Sequence, residues 1–363
     1  MKKIIAVVIA AAVLALIVLG YINTASHSAH HGSEAKLDPK KEIFSHLCDN
    51  YGWEVPFDHG TRMPLPIIVQ GEDGAWHCFS SARLMPEGEY EGFTIAPDGD
   101  YAGKVVQLRP DGSQYRPVDL SITKNAAALL ISALVVILLV MALKRHYKRN
   151  GMKAPRKATG LLELIFEFVY TDTIVPIMGR EAKKYGPYLM TAFFFILTMN
   201  LLGLIVIFPG GANLTGNLAV TGVLALATFL ITNLTGTRHY WKEILWPEVP
   251  TALKCPVPMM QLIEFIGMLT KPLALMVRLF ANMLGGHMVV IVLILLIFIF
   301  TNSFGSAAVG GGTAVVSVLL ALFMLALDTL VSFIQAYVFT LLSTIFISMA
   351  HEGKHEPAEA KNE

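Results

Sequence analysis

The sequence predicts an all-α polytopic membrane protein preceded by a small β-rich exported domain. Three observations carry that prediction. Apolar residues make up 54% of the 363-residue chain and charged ones only 15%, whereas soluble domains are roughly a quarter charged. The apolar residues are clustered into runs long enough to cross a bilayer. Between Pro272 and Ala350 the only formally charged side chains are Arg278 and Asp328. The net charge of +1 excludes little, but basic residues pile up after the first internal span.

The amino terminus reads Met1-Lys2-Lys3, then apolar residues from Ile4 to Gly20, then Asn23-Thr24-Ala25-Ser26. A basic start, an apolar core and small residues make a signal peptide over 1–25, with an uncleaved anchor as the competing reading. Either way the residues that follow are exported. Residues 26–124 are polar and rich in Gly, Pro, Asp and Tyr. Strands are expected at 65–70, 75–80 and 104–108, with turns at Gly71-Glu72-Asp73-Gly74 and Pro110-Asp111-Gly112. Three histidines between Ser26 and His31 read as a solvated linker, with metal capture as the alternative. Cys48 and Cys78 share this region and form one candidate disulfide pair; Cys255 lies on the opposite side of the membrane.

A membrane domain is expected over 125–350. Its first span is 126–143, followed by Lys144, Arg145, Lys148, Arg149, Lys153, Arg156 and Lys157, with no acid before Glu163. The positive-inside rule puts that loop in the cytoplasm; beside a span, a nucleic-acid patch is not expected. Residues 159–179 show helical periodicity and predict a helix lying at the cytoplasmic interface. Spans follow at 187–208 and 218–233, with Arg238, His239, Lys242 and Glu243 returned to the cytoplasm. Residues 258–300 and 313–349 predict a long helical hairpin, turning through the Ser-, Gly- and Asn-rich residues 301–312. Both arms exceed the roughly 20 residues of a perpendicular span, which favours strong tilt. The charged tail, 351–363, is expected to be disordered in the cytoplasm.

The hairpin holds the chemistry. An arginine in so apolar a stretch costs roughly 3 kcal/mol or more to insert, so Arg278 is expected to face water, a counter-charge or a substrate. Arg278 and Asn282 are four apart and share a helix face. Gly285-Gly286 removes bulk and lets another helix approach. His287 lies nine residues beyond Arg278, roughly 13 Å along the axis and half a turn out of phase, so the two serve different surfaces. Asp328, Ser332 and Gln335 form one stripe on the last helix. Antiparallel packing brings His287 towards Asp328 as a relay pair, since His titrates near neutrality and a buried Asp shifts towards it. A structural ion pair is the bland alternative.

The run Arg278-Leu-Phe-Ala-Asn282-Met-Leu-Gly-Gly-His287, preceded by Lys271-Pro272 and followed by Phe333-Ile-Gln335-Ala-Tyr-Val-Phe339, closely resembles subunit a of F-type ATP synthases. Met199-Asn200-Leu-Leu-Gly203-Leu and Asn213-Leu-Thr-Gly-Asn217 match as well, so the resemblance spans roughly residues 120–350. It implies a proton-channel stator of the F0 sector in a bacterial inner membrane. Two half-channels would serve a rotating ring of c subunits, with b-type peripheral stalk subunits alongside and the F1 sector engaged indirectly. Arg278 matches the stator arginine, and Asn282, His287, Asp328 and Gln335 match the proton path. Glu264 matches an acidic position towards the cytoplasmic outlet. Many bacterial members carry an acid at the His287 position and a histidine at the Asp328 position. Their exchange here preserves one acid and one imidazole.

No cofactor or metal is expected, no Gly-rich phosphate loop ending in Lys-Ser/Thr is present, and no nucleic-acid partner is expected. Nucleotide chemistry therefore belongs elsewhere. Two rivals compete. His351-Glu352-Gly353-Lys354-His355 satisfies the H-E-x-x-H zinc-protease pattern, but contains Gly and precedes Pro357. A secondary transporter would use Arg278 to bind a small anion, and such proteins carry repeats and broken helices that this chain lacks.

Overall fold

A computed structural model describes residues 49–54, 62–84, 88–97, 99, 101–109, 111, 113–151, 153–155, 158–205, 211–245, 259–304 and 307–351. The leader, the histidine run, Cys48, Cys255 and the residues after His351 lie outside this set. Eight short strands precede the helical part: β1 (Gly52–Glu54), β2 (Arg62–Pro64), β3 (Pro66–Gln70), β4 (Trp76–Ser80), β5 (Phe93–Ile95), β6 (Val105–Leu108), β7 (Gln114–Tyr115) and β8 (Val118–Asp119). They pair antiparallel as β1-β2, β4-β3-β8 and β5-β6-β7. Gly74, at φ +79°, closes the β3–β4 hairpin in a conformation only glycine adopts cheaply. Alternation along β3 sends Ile67 and Val69 inward, where they meet Tyr51, Phe79, Leu84, Phe93 and Val105.

The β-rich part is tied to the first helix, α1 (Lys124–Asn150). The Lys124 N–H donates to the Asn50 carbonyl at 2.9 Å, and the Asn125 N–H to the Asp49 carboxylate at 3.1 Å. Thr123 caps the helix by accepting from the Ala126 N–H at 3.3 Å. Trp53, 2% exposed, does not join the β core; it packs with the helical core that includes Ala128. Lys124, Ala128, Ser132 and Val136 repeat every four residues and face the bundle, while Leu130, Leu134 and Ile137 are exposed, as a helix in lipid requires.

Beyond α1 come α2 (Ala158–Val169), a π-helical turn (Tyr170–Ile174), α3 (Val175–Met178) and α4 (Ala182–Leu204). The helix expected over 159–179 is therefore interrupted: the π turn widens it and Gly179, at φ +53°, ends it. Tyr170 from that turn lies on Gly186, where a Cβ would come within 2.7 Å of the ring. Helix α4 is buried on most of its circumference, including Leu189, Phe193, Ile196 and Met199, and forms the hub of the bundle. Helix α5 (Leu218–Thr235) turns Thr221, Ala225, Thr228 and Thr232 inward. A short helix, α6 (Arg238–Leu245), forms where Arg238, His239, Lys242 and Glu243 predict only a cytoplasmic segment.

The final hairpin is α7 (Met259–Phe304) and α8 (Ala307–His351). At 1.5 Å per residue each arm is about 68 Å long, over twice a hydrocarbon core of roughly 30 Å, so both must run obliquely. The turn expected over 301–312 is not a loop: 301–304 and 307–312 are helical. His351, expected in the tail, instead belongs to α8. His351 is 3% exposed; its Nδ1 bonds the Ile347 carbonyl at 2.7 Å and its Nε2 the Tyr185 hydroxyl at 2.9 Å. With both ring nitrogens engaged inside the bundle, His351 cannot begin a zinc-binding H-E-x-x-H helix. Among the described residues, five helical segments are long and apolar enough to cross a membrane.

Candidate functional site

Where α4, α7 and α8 meet, a narrow cleft is lined by Asn200, Asn282, Gly286, His287, Asp328, Ser332 and Gln335, with Leu279 and Met283 as apolar wall. Four of the six residues picked out from sequence thus share one cavity. Asn282 Nδ2 donates to Gln335 Oε1 at 2.7 Å, joining the two arms of the hairpin. Asn200 Nδ2 donates to the Ser332 carbonyl at 3.3 Å, and the Thr215 hydroxyl donates to Asn200 Oδ1 at 2.7 Å.

Two glycines make room for the ionisable pair. A Cβ on Gly286 would sit 2.6 Å from Asp328 Oδ1 and 2.8 Å from its Cγ, so the carboxyl of α8 lies directly on the backbone of α7. A Cβ on Gly203 would meet Met283 Cε at 2.7 Å and His287 Nε2 at 3.6 Å. That nitrogen is buried and has no hydrogen-bond partner among the described residues. His287 and Asp328 line the same cleft, yet neither a hydrogen bond nor an ion pair joins them among the described residues. Lys124, buried at the start of α1, lies within electrostatic range of His287, which puts this cleft towards the β-domain end of the bundle.

Arg278 lies elsewhere, on the exposed side of α7 with Ala274, Ala281 and Gly285. It makes no hydrogen bond or ion pair with another described residue. Asn282, one turn on, belongs to this face and to the cleft. Glu264 does not reach the cleft. It is fourteen residues before Arg278, about 21 Å away along the axis in the opposite direction from His287, near the hydroxyl of Tyr240 on α6. Burial pushes the Tyr240 phenol above its ordinary range, and the Glu264 charge adds to that. Tyr240 Oη also donates to Asn233 Oδ1 at 3.2 Å. Asn233, Tyr240, Lys271, Thr228 and Thr232 line a second cleft at this end.

Sequence reasoning noted Asn200, Gly203 and Thr215 only within motifs. Their partners lie on other elements, and single-sequence periodicity carries no signal for that. Ser332 was visible as part of the α8 stripe. No group of three or more His, Cys, Asp or Glu suited to a metal occurs among the described residues.

Residues 126–348 match the family model described as ATP synthase A chain. Residues 42–126 match a second family, described only as a domain of unknown function (DUF8433). The chain is 38% identical to ATP synthase subunit a of Chloroherpeton thalassium over 248 residues, covering 66% of this chain and 70% of the relative. It is 39% identical to the subunit a of Pelodictyon phaeoclathratiforme over 271 residues, covering 70% and 75%. Over 343 residues it is 32% identical to that of an Anaeromyxobacter species, covering 92% and 76%.

Proposed function

The chain belongs to the ATP synthase A chain family, and on that premise we propose how its own side chains carry protons. It is the proton-channel stator of the F0 sector, a multi-pass membrane subunit of the ATP synthase complex; neither an anion transporter nor a zinc protease has support. Protons enter at the β-domain end through the cleft of Asn200, Asn282, His287, Asp328 and Gln335. They load a carboxyl on a ring of c subunits, which turns through the lipid as a neutral group. They leave near Glu264 at the opposite end. Peripheral stalk subunits of b type hold the stator, and nucleotide chemistry takes place on other subunits.

The observation that carries this reading is Arg278: a guanidinium on the exposed face of an apolar hairpin, between small residues, with no counter-charge from the described chain. Such a face needs a partner bearing the opposite charge. A guanidinium stays protonated, so it cannot relay H⁺, but it favours the ionised form of an approaching carboxyl and so promotes proton release. Standing between His287 and Glu264, it also blocks direct passage. Each charge crossing gains about 2.3 kcal/mol per 100 mV, so many protons drive each ATP through rotation. The basic run that ends α1 and continues past it supports a cytoplasmic location there, hence a periplasmic β domain and a cytoplasmic end for α8 in a bacterial inner membrane.

The test is ATP-driven proton pumping by the reconstituted complex carrying Arg278→Ala. The expected result is loss of coupled pumping with c ring and stalk subunits still copurifying. Normal pumping by that variant would overturn the assignment.

A further inference from the structure

We propose that the last two turns of α1 and the outer stripe of α2 form a binding site for an anionic phospholipid of the adjacent leaflet. The inference rests on the chain spanning a membrane, and not on the proton path. Helix α1 has 27 residues, about 40 Å, whereas its apolar part, 126–143, accounts for about 27 Å. The remainder carries Lys144, Arg145, Lys148 and Arg149, all exposed. At 100° per residue these four fall within an arc of about 140°, so they make one cationic face.

That face is fixed against α2. The Tyr147 hydroxyl donates to the Glu163 carboxylate, pinning the end of α1 to the next helix. Gly151, at φ +61°, turns the chain. His146 Nε2 bonds the Lys153 carbonyl at 3.1 Å, which folds the connection back and keeps exposed Lys153 beside the cluster. On α2, Leu162, Ile165 and Phe166 pack on the bundle core, while Leu161, Leu164 and Phe168 are 60%, 63% and 39% exposed. Their spacing of three and four places them in one stripe. Two acids lie nearby, Glu163, which accepts from the Tyr147 hydroxyl, and Glu167 at the edge of the stripe, so the five cations outnumber them and keep the face net positive. Five cations beside an apolar stripe complement a phosphate headgroup attached to acyl chains. A water-soluble anion would leave the stripe uncovered, and a zwitterionic lipid would leave the charge unmatched.

The experiment uses the complete complex, reconstituted in vesicles of phosphatidylcholine and phosphatidylglycerol, extracted in mild detergent and weighed by native mass spectrometry. The wild type is expected to retain phosphatidylglycerol in preference to phosphatidylcholine. The Lys144→Gln/Arg145→Gln/Lys148→Gln/Arg149→Gln variant should retain at least about tenfold less, given the worth of each cation at a charged surface. Should that variant not assemble, Lys148→Gln alone and a salt titration of the wild type give the same readout, with retention falling in both. Equal retention of the two lipids by the wild type, or undiminished retention by the variants, would overturn the site. Normal pumping without retained anionic lipid would reject it while leaving the proton path intact.

Discussion

Gly286 is where a single methyl group has the largest consequence. Its Cβ would stand 2.6 Å from an Asp328 carboxyl oxygen, closer than real contacts allow, so either the carboxyl or the whole of α8 must shift. Gly286→Ala is expected to lower coupled pumping about 10- to 100-fold while the complex assembles, measured by ATP-driven acidification of vesicles. Gly267→Ala is the control: nothing lies within 4 Å of its Cβ. Losing a helical glycine there should leave pumping unchanged and stabilise α7 by about 0.5–1 kcal/mol. The polar members of the site were legible in the sequence because an ionisable side chain in oil demands a reason. Arg278, His287 and Asp328 stand out on that ground alone. The clearance at Gly286 was legible only as small size; that Asp328 fills it, while Gly285 faces open space, depends on the register between the two arms of the hairpin.

At the scale of elements, the β-rich part is held to the bundle by Trp53 and by hydrogen bonds that the first amides of α1 donate to the Asn50 carbonyl and the Asp49 carboxylate. Trp53→Ala removes a large buried side chain and should cost about 3–5 kcal/mol. Hydrogen exchange would then quicken at the amides of 124–128, with α7 and α8 unaffected. The same part should also weaken in alkali. The Tyr51 hydroxyl is buried and bonded to Asp119, and burial first, then that bond, pushes its phenol above the ordinary tyrosine value. A raised pKa means that the folded state holds its proton after the unfolded state has lost it. Stability is therefore full below about pH 10 and declines above it. Tyr51→Phe should flatten that alkaline decline in a thermal-unfolding series across pH.

The strands at 66–70, 76–80 and 105–108 were foreseen because alternation and turn residues agree there. Strands of two or three residues, such as β1 and β7, carry too little pattern and exist through their ladders. Helix α6 was hidden by its charge, and Ser, Gly and Asn over 301–312 read as turn residues although 301–304 and 307–312 continue the two helices.

For the whole molecule, what matters is the separation of two polar regions along one oblique hairpin. His287 and Asp328 lie on the β-domain side of Arg278, and Glu264 on the other, about 13 and 21 Å away along α7. Between them runs a largely apolar face that carries Arg278, with half-buried Lys271 two turns before it in the second cleft. A continuous channel would need polar groups joining both ends through the protein; among the described residues the two clefts have no lining residue in common. In the proposed function a rotor carboxyl moving outside the chain bridges that gap. The most direct measurement is the position of the Arg278 guanidinium in a structure of the complete complex with its rotor. It should lie within about 4–6 Å of a rotor carboxylate in at least one rotary state. A guanidinium turned to lipid or to an inert helix, out of reach of any rotor acid in every state, would contradict the account.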